Sequence, residues 1–408
     1  MILYASLLIL ILYLFGLFVF PVLFSFFSSL LSIFFINKKN YIFIALVFSI
    51  FFVFFGMAMD PVSYVGDYSR YYLSFYRPME QILVTGKIYR FSIFSFLQFF
   101  DMGPQFYTGI SLFLNYLITS VISIKFALIL IGNNRKVIVL TFLLSVMAYP
   151  STAIGNFESM LSFNIIYMAF YFLVTKRNSA SLILLLMAPL IHPAAIPLSL
   201  LMLLPVLSFK VFNKVSFLVM VSAVVSISAF VITPLDFVHP FLGHIQRKLV
   251  NFLTGPWSEY IERRDYEFII IAVVKILVSV YILIRFSKIR KSISSSEVIY
   301  FDNVISIAKY LLPIMSLCLV SRTLAERYIY FGMFYYIPLL MIGMTVIRLK
   351  VNKVFVFSVC SLVLLLPQNI IVFGVISTKS YTEETIDMNI IQLIHHEYDR
   401  APDPVGRI

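Results

Sequence analysis

Apolar runs near or above twenty residues alternate along the chain with short polar breaks. The runs fall at about 2–36, 41–59, 106–132, 137–153, 157–175, 181–209, 215–235, 267–285, 304–320, 328–347 and 354–376. About twenty apolar residues span the hydrocarbon layer of a bilayer, and a helix is the economical way to satisfy the backbone there. The pattern predicts an all-α polytopic membrane protein of about 11–12 transmembrane segments. A β-barrel would need segments of about ten residues with alternating polarity, and these runs are continuous. No internal repeat, low-complexity linker or soluble domain interrupts them, so residues 1–408 read as a single integral membrane domain.

One run breaks the pattern. The stretch "MAPLIHPAAIPLSLLMLLP" within 181–209 holds Pro189, Pro193, Pro197 and Pro205. Proline removes a helix donor and disfavours helix at the preceding residue. The expectation is a broken or hairpin segment with His192 near its tip. The short basic clusters support this. Lys38–Lys39, Arg135–Lys136, Lys176–Arg177, Lys210 with Lys214, and the cations of 285–291 and 348–353 all fall between apolar runs. Under the positive-inside rule these breaks are cytoplasmic. A single crossing at 181–209 would reverse every later loop, whereas a hairpin entering and leaving on the cytoplasmic side keeps all the clusters inside. Loops 60–105 and 236–266 and the tail 377–408 are then external. Arg70, Arg77, Lys87 and Arg90, dispersed through the first of these loops, run against the rule. The run 2–36 is long for one span and contains Gly16 and Pro21. Two spans there would bring the N-terminus inside and change nothing downstream. The first run reads as a retained helix rather than a cleaved signal peptide.

Composition agrees. Hydrophobic residues make up 61% of the 408 and charged residues 12%, and the mean hydropathy is +0.98. A soluble domain is about 45–50% apolar. The net charge of +12 follows from loop cations and topology rather than from nucleic-acid binding. The two cysteines, Cys318 and Cys360, lie inside apolar runs and imply neither a disulfide framework nor a metal site. There is no phosphate-binding loop, dinucleotide fingerprint or nucleophile elbow. No cofactor or metal is expected.

Candidate chemistry gathers in the polar insertions. As a helix, 64–77 places Asp67, Arg70, Tyr71, Ser74 and Arg77 on one side and Tyr68, Tyr72 and Phe75 on another. That arrangement fits an aromatic belt with a local Asp67–Arg70 pair, or an arginine and tyrosine surface for a sugar or a phosphate. Gly66 would let the chain turn into this helix. His192 lies between helix breakers inside an apolar run, where ionisable groups are costly. Its neutral imidazole could act as a general base or orient an acceptor hydroxyl; the plain alternative is a satisfied core histidine. Arg322 and Glu326 form an i, i+4 pair at the external end of a span, beside Arg327. They read as an ion pair with helix-end snorkelling, or as an anion clamp aimed at a lipid-linked phosphate. In loop 236–266, His239 and His244 lack metal spacing. Arg263 and Arg264, near the only tryptophan, Trp257, suit a glycan or pyrophosphate lid, against the plain reading of a solvated loop.

Four of these elements, "VGDYSRYY", "RPMEQIL" with Glu80, "IHPAAIPL" and "ERYIYFGMFYY", together resemble the EpsG-like branch of the Wzy polysaccharide polymerases over about residues 40–350. The resemblance implies a metal-independent glycosyltransferase of GT-C-like architecture in the bacterial cytoplasmic (inner) membrane. Such enzymes join undecaprenyl-pyrophosphate-linked repeat units into O-antigen or exopolysaccharide at the external face. On that reading Arg322 and Arg327, helped by Arg70, hold the pyrophosphate, and His192 or Asp67 activates the acceptor hydroxyl. Tyr71, Tyr72, Arg77, Glu80, Arg263, Arg264, Glu326 and Tyr328 then line the substrate site. The implied partners are the lipid-linked glycan, membrane lipids, and a chain-length regulator and flippase of the same pathway, with no nucleic acid. The competing class is a flippase or transporter of the same lipid-linked oligosaccharides. It would spread its charges along a path reached from both faces, often within inverted repeats. A membrane O-acyltransferase would also use an intramembrane histidine, but no matching His/Asp or His/Asn pattern surrounds His192.

Overall fold

The structure, a computed structural model, describes residues 2–59, 67–148, 156–207, 263–289, 298–317, 319, 328–329, 333–339, 341, 385 and 387–396. Among the described residues the regular structure is helical, with no strand.

The first apolar run is two helices, α1 (Ile2–Val19) and α2 (Pro21–Ile33). They meet at Phe20, whose backbone (φ −135, ψ 69) leaves the helical region. Pro21 opens α2, where its missing N–H costs nothing. The bend brings the Tyr13 and Phe24 rings to 5.6 Å, although a straight helix would hold those Cα atoms about 16 Å apart.

From α2 onward, neighbouring helices alternate in direction. The Ser29 hydroxyl reaches the Val47 carbonyl at 3.3 Å, setting α2 antiparallel to α3 (Tyr41–Met57). Helix α3 runs antiparallel to α7 (Gln105–Leu130). Their close approach is made by Gly56 against Gly109, and Phe52 stacks on Tyr116 at 3.4 Å between centroids. Small residues at such a crossing let the backbones meet where apolar surroundings give no hydrophobic drive. Helix α8 (Arg135–Ala148) returns beside α3 through the Phe48–Phe142 contact. Helix α9 (Phe157–Val174) then runs parallel to α7. The two are joined by a ladder of buried polar groups at four-residue spacing on α7. Asn115 Nδ2 donates to the Phe157 carbonyl at 3.0 Å, Thr119 Oγ1 to Asn164 Oδ1 at 2.7 Å, and Ser123 meets the Tyr167 hydroxyl at 3.2 Å. A tight turn with Lys176 at φ 60 leads into α10 (Asn178–Ile191), which packs antiparallel on α9.

The contacts sort the connections onto two ends. The Arg135 guanidinium donates to the Phe34 carbonyl, and Asn303, in α13 (Val298–Leu317), reaches the Val174 carbonyl at 3.4 Å. Lys38–Lys39, Arg135–Lys136 and Lys176–Arg177 therefore share one end, the basic end. At the other, Gln105 Nε2 donates to the Ile394 carbonyl at 2.7 Å. That bond seats a short C-terminal helix, α14 (Ile390–His395), against the start of α7. Its Leu393 packs with Val22, Met57 and Ala58.

The run 181–209 breaks where the prolines require. Helix α10 ends at Ile191, a 3₁₀ turn covers Pro193–Ala195, and α11 (Ile196–Leu207) packs back on α10. Each half is shorter than the roughly twenty residues a crossing needs. Further on, α12 (Arg263–Ile289) packs against α13.

Two helices, α7 and α9, are long and apolar enough to cross a membrane by length and composition. Helices α2, α3 and α10 and the stretch Ile269–Ile284 are shorter and apolar. Helix α10 exposes Leu182, Ile183, Leu186, Met187 and Leu190 along one stripe, a face that water would penalise. Helix α7 has 26 residues against 18 in α9. Their basic ends are level, with Phe126 against Phe170, so α7 overhangs α9 at the far end by about 12 Å.

Around the overhang, residues 67–104 form a helical collar rather than an extended loop. It comprises α4 (Asp67–Ser74), α5 (Met79–Val84) and α6 (Ile88–Phe99). Helix α6 runs antiparallel to α7, with Phe94 on Tyr107 at 4.7 Å and the Tyr89 and Ser111 hydroxyls at 2.8 Å.

The Gly109 approach is testable. A Cβ there would lie 2.7 Å from the Val53 carbonyl oxygen, a backbone atom that has no rotamer to escape into. Gly109→Ala should destabilise the purified protein by about 1–3 kcal/mol, read as a lower Tm in detergent. An unchanged Tm would mean that this crossing does not set the α3–α7 distance.

Candidate functional site

Glu158 lies in the first turn of α9 and is fully buried. An ionised carboxylate away from water survives only if it is paired and hydrogen-bonded. Helix α6 supplies the pairing through its inward face: Lys87, Arg90, Phe94 and Leu97 recur at helical spacing and are all buried. Arg90 grips the carboxylate with two donors, Nε to Oε1 and Nη2 to Oε2, the second at 2.7 Å. This is the planar two-point fit that arginine makes with carboxylates. Lys87 Nζ adds a bond to Oε2 at 3.0 Å, and the Tyr107 hydroxyl from α7 donates to Oε1. The remaining guanidinium edge reaches Ser74 Oγ at 3.3 Å. The Tyr71 ring lies 4.6 Å from the Arg90 guanidinium carbon and 5.7 Å from Lys87 Nζ, in range for cation–π attraction. Burial works against the Arg90 charge, but the Glu158 carboxylate more than offsets it and holds the guanidinium pKa above its ordinary value. Two cations thus converge on the Glu158 carboxylate at the start of α9.

His192 stands at the α10 break with its backbone extended (φ −150, ψ 129) and its side chain buried. The Ala194 N–H donates to Nδ1 at 3.1 Å. A backbone N–H can only donate, so the proton of the neutral ring sits on Nε2. In this geometry Nδ1 is the acceptor of the neutral imidazole and Nε2 its donor. Tyr328 closes the turn, its hydroxyl donating to the Ala194 carbonyl at 2.6 Å and its ring meeting Phe163 at 5.5 Å. Measured from the α9–α10 turn by helical rise, His192 and Glu158 lie within about 3 Å of the same level.

Several expectations need correction. Residues 70–77 do not divide into a polar side towards water and an aromatic side. Tyr71, Tyr72, Ser74 and Phe75 are all buried, because α4 packs onto the Arg90–Glu158 cluster instead of lying flat at a surface. Tyr71 and Tyr72 are therefore packing groups, while Arg70, Arg77 and Glu80 are exposed. Asp67 opens α4. Arg263 and Arg264 begin α12 rather than belonging to the preceding loop. Arg322, Glu326 and Arg327 lie outside the described residues, as does most of loop 236–266. Glu158 is the residue that sequence reasoning missed. Its signal was an acid at the edge of an apolar run, together with Lys87 and Arg90 in a loop where the charge rule disfavours cations. Among the described residues no group of His, Cys, Asp or Glu could hold a metal ion.

No family model, no curated protein and no solved structure matches the chain.

Removing Glu158 alone would strand two buried cations. Glu158→Gln should cost about 3–5 kcal/mol, whereas the apolar pair Glu158→Met with Arg90→Met should be markedly less damaging than either single change. Thermal unfolding of the four proteins in detergent decides this. Additive losses would show that the pair is not coupled.

Proposed function

We propose that the chain is a many-span glycosyltransferase of the bacterial cytoplasmic membrane. In this reading it joins undecaprenyl-pyrophosphate-linked repeat units into O-antigen or exopolysaccharide at the end of the bundle opposite the basic clusters. The observation that carries the reading is the juxtaposition at that end. A buried ionic cluster, Lys87 and Arg90 on Glu158, stands level with the His192 turn, in a bundle whose outer face is apolar. A lipid-linked pyrophosphate donor needs those three things together: hydrocarbon for its tail, cations for its phosphates, and polar groups for the sugar hydroxyls. The reaction comes from the resemblance of four short elements to the EpsG-like polymerases.

In the reaction proposed, an acceptor hydroxyl attacks the anomeric carbon of the donor sugar, and the bond from that carbon to the pyrophosphate oxygen breaks. Undecaprenyl pyrophosphate leaves with the electron pair. Stabilising this departing charge is the main catalytic demand. Arg322 and Arg327 are assigned to it, helped by exposed Arg70. Asp67 is assigned the acceptor proton and His192, through Nε2–H, the orientation of a sugar oxygen. The flippase alternative would need charged groups accessible from both ends. The buried ionic cluster lies at one end only among the described residues.

Deletion of the gene followed by electrophoresis of the surface glycan separates the two classes. A polymerase leaves a single repeat unit on the carrier or core, and a flippase leaves no surface glycan. Arg327→Ala should abolish long chains at normal expression; long chains from that variant would remove Arg327 from the mechanism. His192→Gln, which keeps a donor, should retain more polymer than His192→Ala. Equal loss in both, with equal expression, would refute the donor role.

A further inference from the structure

The turn between α5 and α6 is built inside out for a loop in water. Its charged groups, Lys87 and Arg90, point inward to Glu158. Its apolar groups point outward, with Leu83 49%, Val84 54% and Ile88 41% exposed. Ile82 faces the core, at 4%, and Met79, Tyr89 and Phe91 pack against it in part. Three donors of the turn are satisfied within it: Thr85 Oγ1 donates to the Ile82 carbonyl at 2.7 Å, Thr85 N to the same carbonyl at 3.2 Å, and Gly86 N to the Leu83 carbonyl at 2.9 Å. Internal satisfaction of backbone polarity is what a lipid surrounding demands and water does not. Gly86, at φ 71, makes the reversal possible without strain.

The register sets the depth. The Tyr89–Ser111 and Arg90–Glu158 bonds hold the turn level with the start of α9, where the apolar length of that helix begins. Exposed Arg77 and Glu80 lie before the turn in sequence, the first ahead of α5 and the second in its first turn. We infer that the collar dips its α5–α6 turn into the bilayer, seating Leu83, Val84 and Ile88 among lipid acyl chains just below the headgroups. The occupant of this apolar surface is thus membrane lipid. The inference rests on the membrane-spanning reading above, and it adds that a segment between two crossings is itself lipid-inserted and places Lys87 and Arg90 at the hydrocarbon boundary.

Tryptophan quenching tests it on the full chain. Trp257 is the only tryptophan, so Trp257→Phe gives a silent background to which Val84→Trp or Leu186→Trp is added. Leu186, 59% exposed on the α10 stripe, lies near the middle of the apolar layer by helical rise and serves as the membrane control. In nanodiscs of phospholipid brominated near the headgroup end of the acyl chain, Val84→Trp should lose most of its emission. Bromine near the terminal methyl should quench it less, and Leu186→Trp should show the reverse order. Unquenched red-shifted emission from Val84→Trp means water contact, and unquenched blue-shifted emission means cover by protein such as a second copy. Either overturns the inference while a quenched Leu186→Trp leaves the membrane reading standing. An unquenched Leu186→Trp overturns that reading and the inference with it. Ile88→Trp repeats the measurement from the other arm of the turn.

Discussion

The Arg90–Glu158 pair is the constraint on which the arrangement of this end of the molecule depends. Glu158 is fully buried, and its ionisation requires the α6 cations at hydrogen-bonding distance. Once that requirement is met, much else follows. Helix α6 must lie against the start of α9, Tyr107 of α7 fills the remaining side of the carboxylate, and α4 must bring Ser74 and Tyr71 onto the guanidinium. One carboxylate thereby ties together two helices of spanning length and the segment between α3 and α7. Such a pair is weak evidence for net stability, because desolvating both ions offsets much of their attraction. Its geometric effect is a unique register, since a shift of one residue in α6 would leave charge without a partner.

Helix α7 meets its two main neighbours by different physics. Against α3 it offers glycine and a stacked aromatic pair, a dry contact held by shape. Against α9 it offers Asn115, Thr119 and Ser123, one per turn, which exchange hydrogen bonds with α9. Hydrogen bonds between helices in apolar surroundings are directional, so they fix rotation about the helix axis as well as separation. The parallel pairing of α7 with α9 is thus specified chemically. Parallel neighbours need a connection that travels the full length back, and α8 supplies it.

The helical character was legible: long uncharged runs read as helices, and the prolines around His192 located the break. The grouping of Lys38–Lys39, Arg135–Lys136 and Lys176–Arg177 at one end was legible from charge alone. The collar was not. Helical spacing put Tyr71 and Ser74 on a common side of α4, but it carries no information on whether that side meets solvent or another helix. The decisive neighbour, Arg90, pairs with Glu158 across 68 positions of sequence, and nothing local announces such a partner. His192 shows the same limit in chemical form. Its place was readable, but the nitrogen carrying its proton depends on a backbone N–H two residues on.

The overhang of α7 beyond α9 has a consequence for how the chain sits in a membrane of given thickness. Two helices whose apolar lengths differ by about 12 Å cannot both match one flat hydrocarbon slab, and unmatched length is relieved by tilt, kinking or local deformation of the lipid. Here α6 runs along the surplus of α7 and Tyr71 of α4 meets Tyr107, so part of that surplus is spent in contact with protein. The shorter helix is then left to set hydrophobic thickness, and an exceptionally long apolar helix adds less mismatch stress of its own.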